Sequence, residues 1–412
     1  MRIAIVGNDL RCVALARRLQ GEGHDVVVIP GADRMNLEVE SIALPRQVPE
    51  WKSMRDTEAI LAAVAAARAE LIVCLHVESA DAGTVDRLRV EYPRRVFGTS
   101  ATAARIETSK AAGIRTARAA GLQVPRSVRI RRRRDAAKRI AASLGEGPVV
   151  VKYDGLLGGR GTLFAGTPAD CERAIRSLPP GDVIIQSHVR GIELALSLLC
   201  TSHGLVPLNV NFEYKRSEDG DRGENTPGMG TTARNIAGLP LPPFLLPLAA
   251  LLRRIGYAGP LDVSFMYDPE TRTPVFLEFT ARFGDPELAS ELLLFEDAGE
   301  VLRAVAADDD VRVEPSRQVW AAGVVVRGGS HAAATVQQDS AVCNGVLQSC
   351  FSAAARDLRV AIDAVYDSVW AHTSGGSFRT DIGHDTAARW EAYEQLTRDQ
   401  HVSRGTPAPP RA

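Results

Sequence analysis

An α/β chain of two or three domains, opening on a parallel sheet covered by helices, is what the sequence predicts. Its 412 residues exceed one ordinary domain. Its first hundred residues alternate β-branched runs with helical stretches, the pattern of a parallel sheet. Beyond residue 126 strands follow one another with few helices between them, so further units are expected there. A hydrophobic share of 45% supplies ample core.

"RIAIVG" and then "DLRCVALARRLQGEGHDVVVIPG" read strand, helix, strand. The helix places Val13, Ala16 and Leu19 on one face. "TEAILAAVAAARAELIVCL" repeats helix then strand, and "TVDRLRVEYPRRVFGTS" does so again, completing an N-terminal domain over 1–104. "ARIETSKAAGIRTARAAGLQVPRS" predicts one helix, stopped by Gly121 and Pro125. A small unit over 105–190 carries the strands "SVRI", "PVVVKY", "GTLFAG" and "DVIIQSHV" with one helix, "TPADCERAIRSL". Long strands ("IELALSLLC", "LDVSFMY", "PVFLEFT") and two helices fill 191–315. A mixed C-terminal domain is expected over 316–397 and a disordered tail over 398–412. No internal repeat is visible.

A formal net charge of −1 provides no global field for nucleic acid or an acidic membrane. The local run "RIRRRR" at 129–134 reads as a solvated surface turn. The six cysteines (12, 74, 171, 200, 343, 350) form no CxxC or metal spacing, which suits reduced thiols in cytoplasm. "MRIAIVG" lacks the basic and apolar regions of a signal peptide, and "GLPLPPFLLPLAALL" is too short and proline-rich to span a bilayer.

Chemistry gathers in four stretches. "VVVKYDGLLGGRGT" (149–162) sets Lys152 at a strand end before a turn holding Asp154, Gly155, Gly158, Gly159, Arg160 and Gly161. Glycines let backbone N–H groups approach an anion, and a neighbouring cation suits phosphates. A plain hairpin turn with a surface arginine is the alternative reading of this stretch by itself. "SK" at 109–110 adds a second lysine, taken as strand-borne. "KRSEDGDRGENTPGMG" (215–230) and "FLEFTARFGDPE" (276–287) add carboxylates, whose hard oxygens suit Mg²⁺ together with phosphate.

In order and spacing these stretches resemble ATP-grasp enzymes, most closely the phosphoribosylamine–glycine ligase family. "VVVKYDGLLGGRG" resembles the family's "VVIKADGLAAGKG", "YKRSEDGDRGENTPGMG" its "HKRxxDGDxGPNTGGMG", "EFTARFGDPE" its "EFNxRFGDPE", and "FRTDIGH" its "YRRDIGH". The resemblance covers residues 1–384 and implies an ATP-grasp fold: a Rossmann-like N-terminal domain, two grasp lobes and a small C-terminal α+β domain. It further implies ATP and Mg²⁺ (or Mn²⁺) as cofactors, and a small-molecule carboxylic acid and amine as substrates. No nucleic-acid or membrane partner is expected, and the chain is expected as a cytoplasmic monomer or homodimer.

Carried over by motif, Lys110 and Lys152 bind ATP phosphates, and the turn from Asp154 and Gly155 to Gly161 closes over them. The backbone of Gln186, Ser187 and His188 reads adenine, Glu193 meets the ribose, and Lys215 joins the nucleotide group. Glu278 holds the metal with Thr280 beside it. Arg282 holds the carboxylate or its acyl phosphate, supported by Asp285. Arg11, Asp9, His76, Asn225, Thr226, Gly228 and Met229 line the substrate side.

The departures cluster. The family's "GNGGREHA" reads "GNDLRCVA" here, so Asp9 and Leu10 replace both glycines, and Cys12 and Val13 replace Glu and His; only Arg11 survives. A carboxylate there repels phosphate, and Leu10 resists φ > 0. "GPEAPL" reads "LHVESA", placing His76 at a strand end that faces the cleft. The remaining histidines show no ligand spacing. "PNTGGM" reads "ENTPGM", with Glu224 and Pro227; Thr280 replaces the metal-binding Asn, and Arg160 a flap lysine. These losses fall on the amine end of the cleft. The function expected is therefore an ATP-dependent carboxylate–amine ligase acting through an acyl phosphate in a specialised natural-product or nucleoside-type pathway. The alternatives are authentic phosphoribosylamine–glycine ligase and a non-catalytic nucleotide-binding protein.

Overall fold

The computed structural model of the chain describes residues 1–29, 53–131, 137–145, 147–331, 334, 336–343 and 346–403. Residues 132–134 of the arginine run and the last nine residues of the expected tail lie outside them. The N-terminal unit comprises β1 (Arg2–Val6), α1 (Leu10–Gly21), β2 (Asp25–Ile29), α2 (Thr57–Ala67), β3 (Leu71–Cys74), α3 (Val77–Asp81), α4 (Thr84–Glu91) and β4 (Val96–Phe97). Its strands pair in parallel in the order β2-β1-β3-β4. Ile3, Ile5, Val26 and Val28 face one apolar cluster, while Ala4, Val6, Val27 and Ile29 face another. Both faces are thus covered, which is why these strands read as unbroken apolar runs.

The single helix expected after residue 104 is two: α5 (Ala101–Thr108) and α6 (Lys110–Ala119). Ser109 breaks them. It is extended (φ −129°, ψ 109°) and its Oγ caps α6 by accepting from the Ala112 N–H. Lys110 is therefore the first residue of a helix rather than strand-borne. Gly121, with φ +74°, ends the pair as predicted.

The small lobe holds β5 (Ser127–Ile130), α7 (Ala137–Ser143), β6 (Val149–Tyr153), β7 (Thr162–Ala165), α8 (Pro168–Ser177) and β8 (Val183–Ser187). Its antiparallel sheet runs β5-β8-β6-β7. The sequence reading missed α7, a short helix beside the arginine run. Its Ala141 shares a cluster with Cys171, Ala174 and Ile175 of α8.

Then follow β9 (Ile192–Thr201), β10 (Gly204–Glu213), β11 (Arg216–Glu218), β12 (Arg222–Asn225), β13 (Gly230–Asn235), α9 (Leu246–Arg254), β14 (Gly259–Asp268), β15 (Thr273–Thr280), α10 (Glu287–Glu291), α11 (Ala298–Ala306), β16 (Trp320–Arg327), β17 (Ser330–His331), β18 (Gln337–Cys343), β19 (Val346–Ala355), α12 (Leu358–His372), β20 (Thr373–Ser374) and α13 (Thr386–Ser403). One eight-stranded sheet runs β15-β14-β9-β10-β13-β16-β19-β18. It crosses the expected boundary at residue 315 without a break, because β16 pairs with β13 from Gly230↔Val324 to Arg234↔Trp320. α13 continues to Ser403, past the point where the tail was expected to begin. Among the described residues no helix is long and apolar enough to cross a membrane.

Candidate active site

Three lysines converge on one glutamate where the lobes meet. Lys110 Nζ lies 2.9 Å from one Glu278 oxygen and Lys215 Nζ 3.8 Å from the other. Lys152, the last but one residue of β6, is buried and donates to the Leu277 carbonyl at 3.1 Å. Lys215 also pairs with Glu193 at 2.6 Å and Glu213 at 2.9 Å. The charges tune one another. Lys110 above all, then Lys152 and Lys215, hold the Glu278 carboxyl well below the carboxylate range despite its burial. Burial pushes the Lys152 ammonium below its ordinary range; Glu278 pulls it back, while Lys110 and Lys215 push it further down. For Lys215 burial acts the same way, but Glu193, Glu213 and Glu278 outweigh it and raise it well above 10.5. Glu213, the last residue of β10, is a member of this group that the sequence reading missed.

The glycine turn between β6 and β7 lies over this centre. Gly158 and Gly159 adopt φ +55° and +77°. A Cβ on Gly159 would sit 2.8 Å from the Thr226 carbonyl, so only glycine permits that approach. Asn225 Nδ2 donates to the Thr162 carbonyl at 3.0 Å, and Leu156 packs against the N-terminal apolar cluster. The turn is thus seated, with Arg160 exposed at its tip. Asp154 faces inward: its Oδ1 accepts from the Ser109 hydroxyl (3.0 Å) and the Ala111 N–H (3.1 Å), and its Oδ2 pairs with Arg129 at 2.8 Å. That carboxylate joins the turn to the start of α6 and to β5.

At the hinge strand β8 two backbone amides are already engaged. The Ser187 N–H donates to Arg126 and the His188 N–H to Pro148, so neither amide is left to read a base. The His188 ring meets Phe164 edge-on at 5.2 Å. Gln186 carries the free donor instead. Its side chain is buried in a pocket also lined by Ile106, Ile114, Lys152 and Phe279, and among the described residues its Nε2 has no partner. A buried donor without an acceptor is costly, so a ligand acceptor at this point fits the site.

The corner where β1 feeds α1 is closed on itself. Asp9 is extended and caps α1, accepting from the Arg11 N–H at 3.0 Å. Its Oδ2 takes Arg11 Nε at 3.0 Å, Arg11 Nη2, and His76 Nε2 at 3.0 Å. Arg11 Nη1 donates to the Phe283 carbonyl at 2.9 Å. Leu10 starts the helix, so no positive φ is required there and the expected strain does not arise. Burial works against both charges, yet Arg11 and His76 hold Asp9 well below 3.8, and Asp9 holds His76 well above 6.5. Donor atoms of Asp9, Cys12 and His76 lie within 4.8 Å of one another, where the Arg11 guanidinium already supplies the positive charge.

Arg282 Nε pairs with Glu107 at 3.2 Å, and its Nη1 donates to the Phe283 carbonyl at 3.0 Å. Glu107, buried on α5, also accepts the Ala281 N–H and so orients this strand end; the sequence reading did not single it out. Asp285 is half-buried near Asp9, and desolvation raises its carboxyl. Gly228 abuts Pro286, and the buried Met229 donates its N–H to Tyr214. Thr226 bonds Lys215 and Asn225 the flap, so both act on neighbouring segments of the protein. Glu278 and Thr280 stand two residues apart on β15, hence on one face of the sheet. Carboxylate and hydroxyl oxygens there, beside lysines suited to phosphates, fit Mg²⁺ carried with a nucleotide.

A small antiparallel lobe whose glycine flap closes over a lysine-lined face of a larger sheet defines an ATP-grasp protein. Residues 109–288 match the family model of the phosphoribosylglycinamide synthetase ATP-grasp (A) domain. The phosphoribosylamine–glycine ligase of Leifsonia xyli subsp. xyli is 31% identical over 305 residues, 70% of this chain and 69% of that one. The crystal structure of the Thermotoga maritima phosphoribosylamine–glycine ligase superposes with a TM-score of 0.71 at 21% identity, covering 93% of this chain and 100% of that one. A biotin carboxylase domain of the Hydrogenobacter thermophilus 2-oxoglutarate carboxylase, solved with MgADP, shares the fold at TM-score 0.70 and 14% identity over 99% of both chains. The chain belongs to the phosphoribosylamine–glycine ligase family. It is an ATP-dependent, ADP-forming carbon–nitrogen ligase using ATP and Mg²⁺.

Proposed function

We propose that this enzyme joins the carboxylate of an amino acid to an amine through an acyl phosphate. The observation that carries the reading is the convergence of Lys110, Lys152 and Lys215 on Glu278 beneath a seated glycine flap. When bound, ATP supplies the phosphoryl group that activates the carboxylate, and Mg²⁺, held by Glu278 and Thr280, neutralises its charge. Lys110 turns from Glu278, and Lys152 from the Leu277 carbonyl, to the phosphates, and the Gln186 amide meets the base. Arg282 orients the carboxylate and then the acyl phosphate. The seated flap keeps water from that intermediate. The amine nitrogen attacks the acyl carbon, phosphate departs with the carboxylate oxygen, and the amine gives up a proton. No protein nucleophile is used; positioning and charge do the work. A cytoplasmic setting suits its free thiols at Cys12, Cys74, Cys171, Cys200 and Cys350.

The names of the relatives favour phosphoribosylamine and glycine as the substrate pair. A second reading, an amine without phosphate in a specialised pathway, is favoured by one observation. The start of α1, where amides would hold a phosphate, is filled by Asp9 bound to Arg11 and His76. One assay series separates the readings. Hydroxylamine with ATP, Mg²⁺ and glycine should yield a hydroxamate whichever amine is natural; its absence across a panel of amino acids would refute the ligase reading. Ribosylamine and 5-phosphoribosylamine then differ only in the phosphate. Preference for the phosphorylated amine establishes the first reading, and preference for its phosphate-free partner the second.

A further inference from the structure

We propose that Arg379, in the loop after β20, is a positioning residue that seats the nucleotide flap by holding the β11–β12 hairpin. The flap does not close onto rigid sheet. It closes onto residues 225–227, at the end of β12 and just beyond it. That hairpin has only two paired positions, Arg216↔Asn225 and Glu218↔Arg222, with an irregularity between them, and it is largely exposed. A two-stranded ribbon of this kind is marginal in water, so its shape is imposed from outside.

Arg379 imposes it. The side chain is only 1% exposed. Nη1 donates to Asp221 Oδ1 at 2.7 Å, at the hairpin tip, and to the Arg216 carbonyl at 3.3 Å, at its base. Nε and Nη2 take the two oxygens of Asp381, each at 2.7 Å. Asp381 in turn accepts the Gly220 N–H at 2.8 Å, and Asp219 accepts the Thr380 N–H at 2.8 Å. Burial would raise the Asp381 carboxyl, but the guanidinium lowers it to about 2. A planar fork suits this bidentate grip in a way an ammonium cannot.

Both ends of the held segment enter the site. Lys215 precedes β11 and reaches Glu193, Glu213 and Glu278. At the other end the Thr226 N–H and hydroxyl bond the Lys215 carbonyl at 2.8 and 3.0 Å, Asn225 holds Thr162, and Gly159 rests on the Thr226 carbonyl. A contiguous set of hydrogen bonds thus runs from Arg379 to Thr162, where the flap rejoins β7, and Gly159 packs against the same segment, although Arg379 touches neither lysine nor flap.

The test uses the full chain with Arg379→Met, Arg379→Lys and Asn225→Ala, the last cutting the link at the flap itself. Arg160 at the flap tip is exposed, and Arg312, remote from it, has a side chain 85% exposed. Tryptic cleavage at Arg160 relative to Arg312 therefore reports flap seating apart from general destabilisation. We expect this ratio to rise on the order of tenfold in Arg379→Met and Asn225→Ala, and less in Arg379→Lys. ADP formed per hydroxamate should rise above one as water reaches the acyl phosphate, with a raised KM for ATP. An unchanged cleavage ratio and an unchanged ADP yield in Arg379→Met would overturn the proposal. Should that variant not fold, the same two null results in Asn225→Ala would overturn it. The activity arm rests on the ligase reading; a wild-type enzyme forming no hydroxamate would sink that reading, while the cleavage ratio still decides the role of Arg379.

Discussion

The nucleotide centre and the β1–α1 corner both gather buried charge, yet they satisfy it differently. At the centre, three lysines crowd one glutamate and Gln186 presents a donor with no acceptor among the described residues. At the corner, Asp9 receives the helix N–H, a guanidinium and an imidazole within the protein. The first region holds its groups ready for an incoming anion. The second already contains its anion. Residues in the first should therefore matter for chemistry, and residues in the second for folding.

The largest expected effect is at the corner. Asp9→Ala strands Arg11 as a buried cation, takes from His76 the partner that keeps it charged and removes the α1 cap, costing about 3–5 kcal/mol of stability. Denaturant unfolding measures it, and a loss no larger than that of an exposed substitution would break the comparison. Next, Lys152→Ala should cost about 2–4 kcal/mol in the transition state for ATP turnover, with the unfolding free energy nearly unchanged because burial already disfavours its charge. Near-normal phosphate release by the folded variant would remove Lys152 from the phosphate site.

A pH series sharpens the contrast. His76 is raised above 6.5 in the fold, so its stabilisation is full below pH 6.5 and fades as pH climbs towards the raised value. Wild type should exceed His76→Gln by about 1.5 kcal/mol on the acid side, and the gap should close in alkali. A gap that widens with pH would reverse the assigned sign. The smallest effect is expected from one substitution beside the metal. Thr280→Asn offers an oxygen at similar reach and should leave kcat/KM unchanged, while chelation or Glu278→Gln should abolish turnover. Activity that survives chelation would remove the metal assignment.

The parallel N-terminal sheet was legible because strands buried on both faces read as unbroken apolar runs with helices between them. The glycine flap was legible because few residues other than glycine tolerate its φ values. The break at Ser109 was not legible: "ARIETSKAAGIRTARA" keeps helical composition across it, and the break exists because Asp154, 45 residues later, holds the Ser109 hydroxyl and the Ala111 amide. Glu107 and Glu213 looked like ordinary surface carboxylates until the fold set Arg282 and Lys215 beside them. The Asp9 substitution read as repulsion towards phosphate, but its partner His76 stands 67 residues away in sequence and only the folded sheet joins them.

By itself, then, the chain order determined which residues form strands and flap, and which side chains carry charge suited to ATP, because local periodicity and backbone freedom are written residue by residue. Tertiary structure decided which of those charges is already answered. It spent the amides of Ser187 and His188 on Arg126 and Pro148, left Gln186 Nε2 open, and ran one sheet through the expected domain boundary. Hydrogen bonds and ion pairs act over about 3–4 Å, and at that range His76 reaches Asp9, and Asp154 reaches Ser109, only because the fold brings distant sequence together.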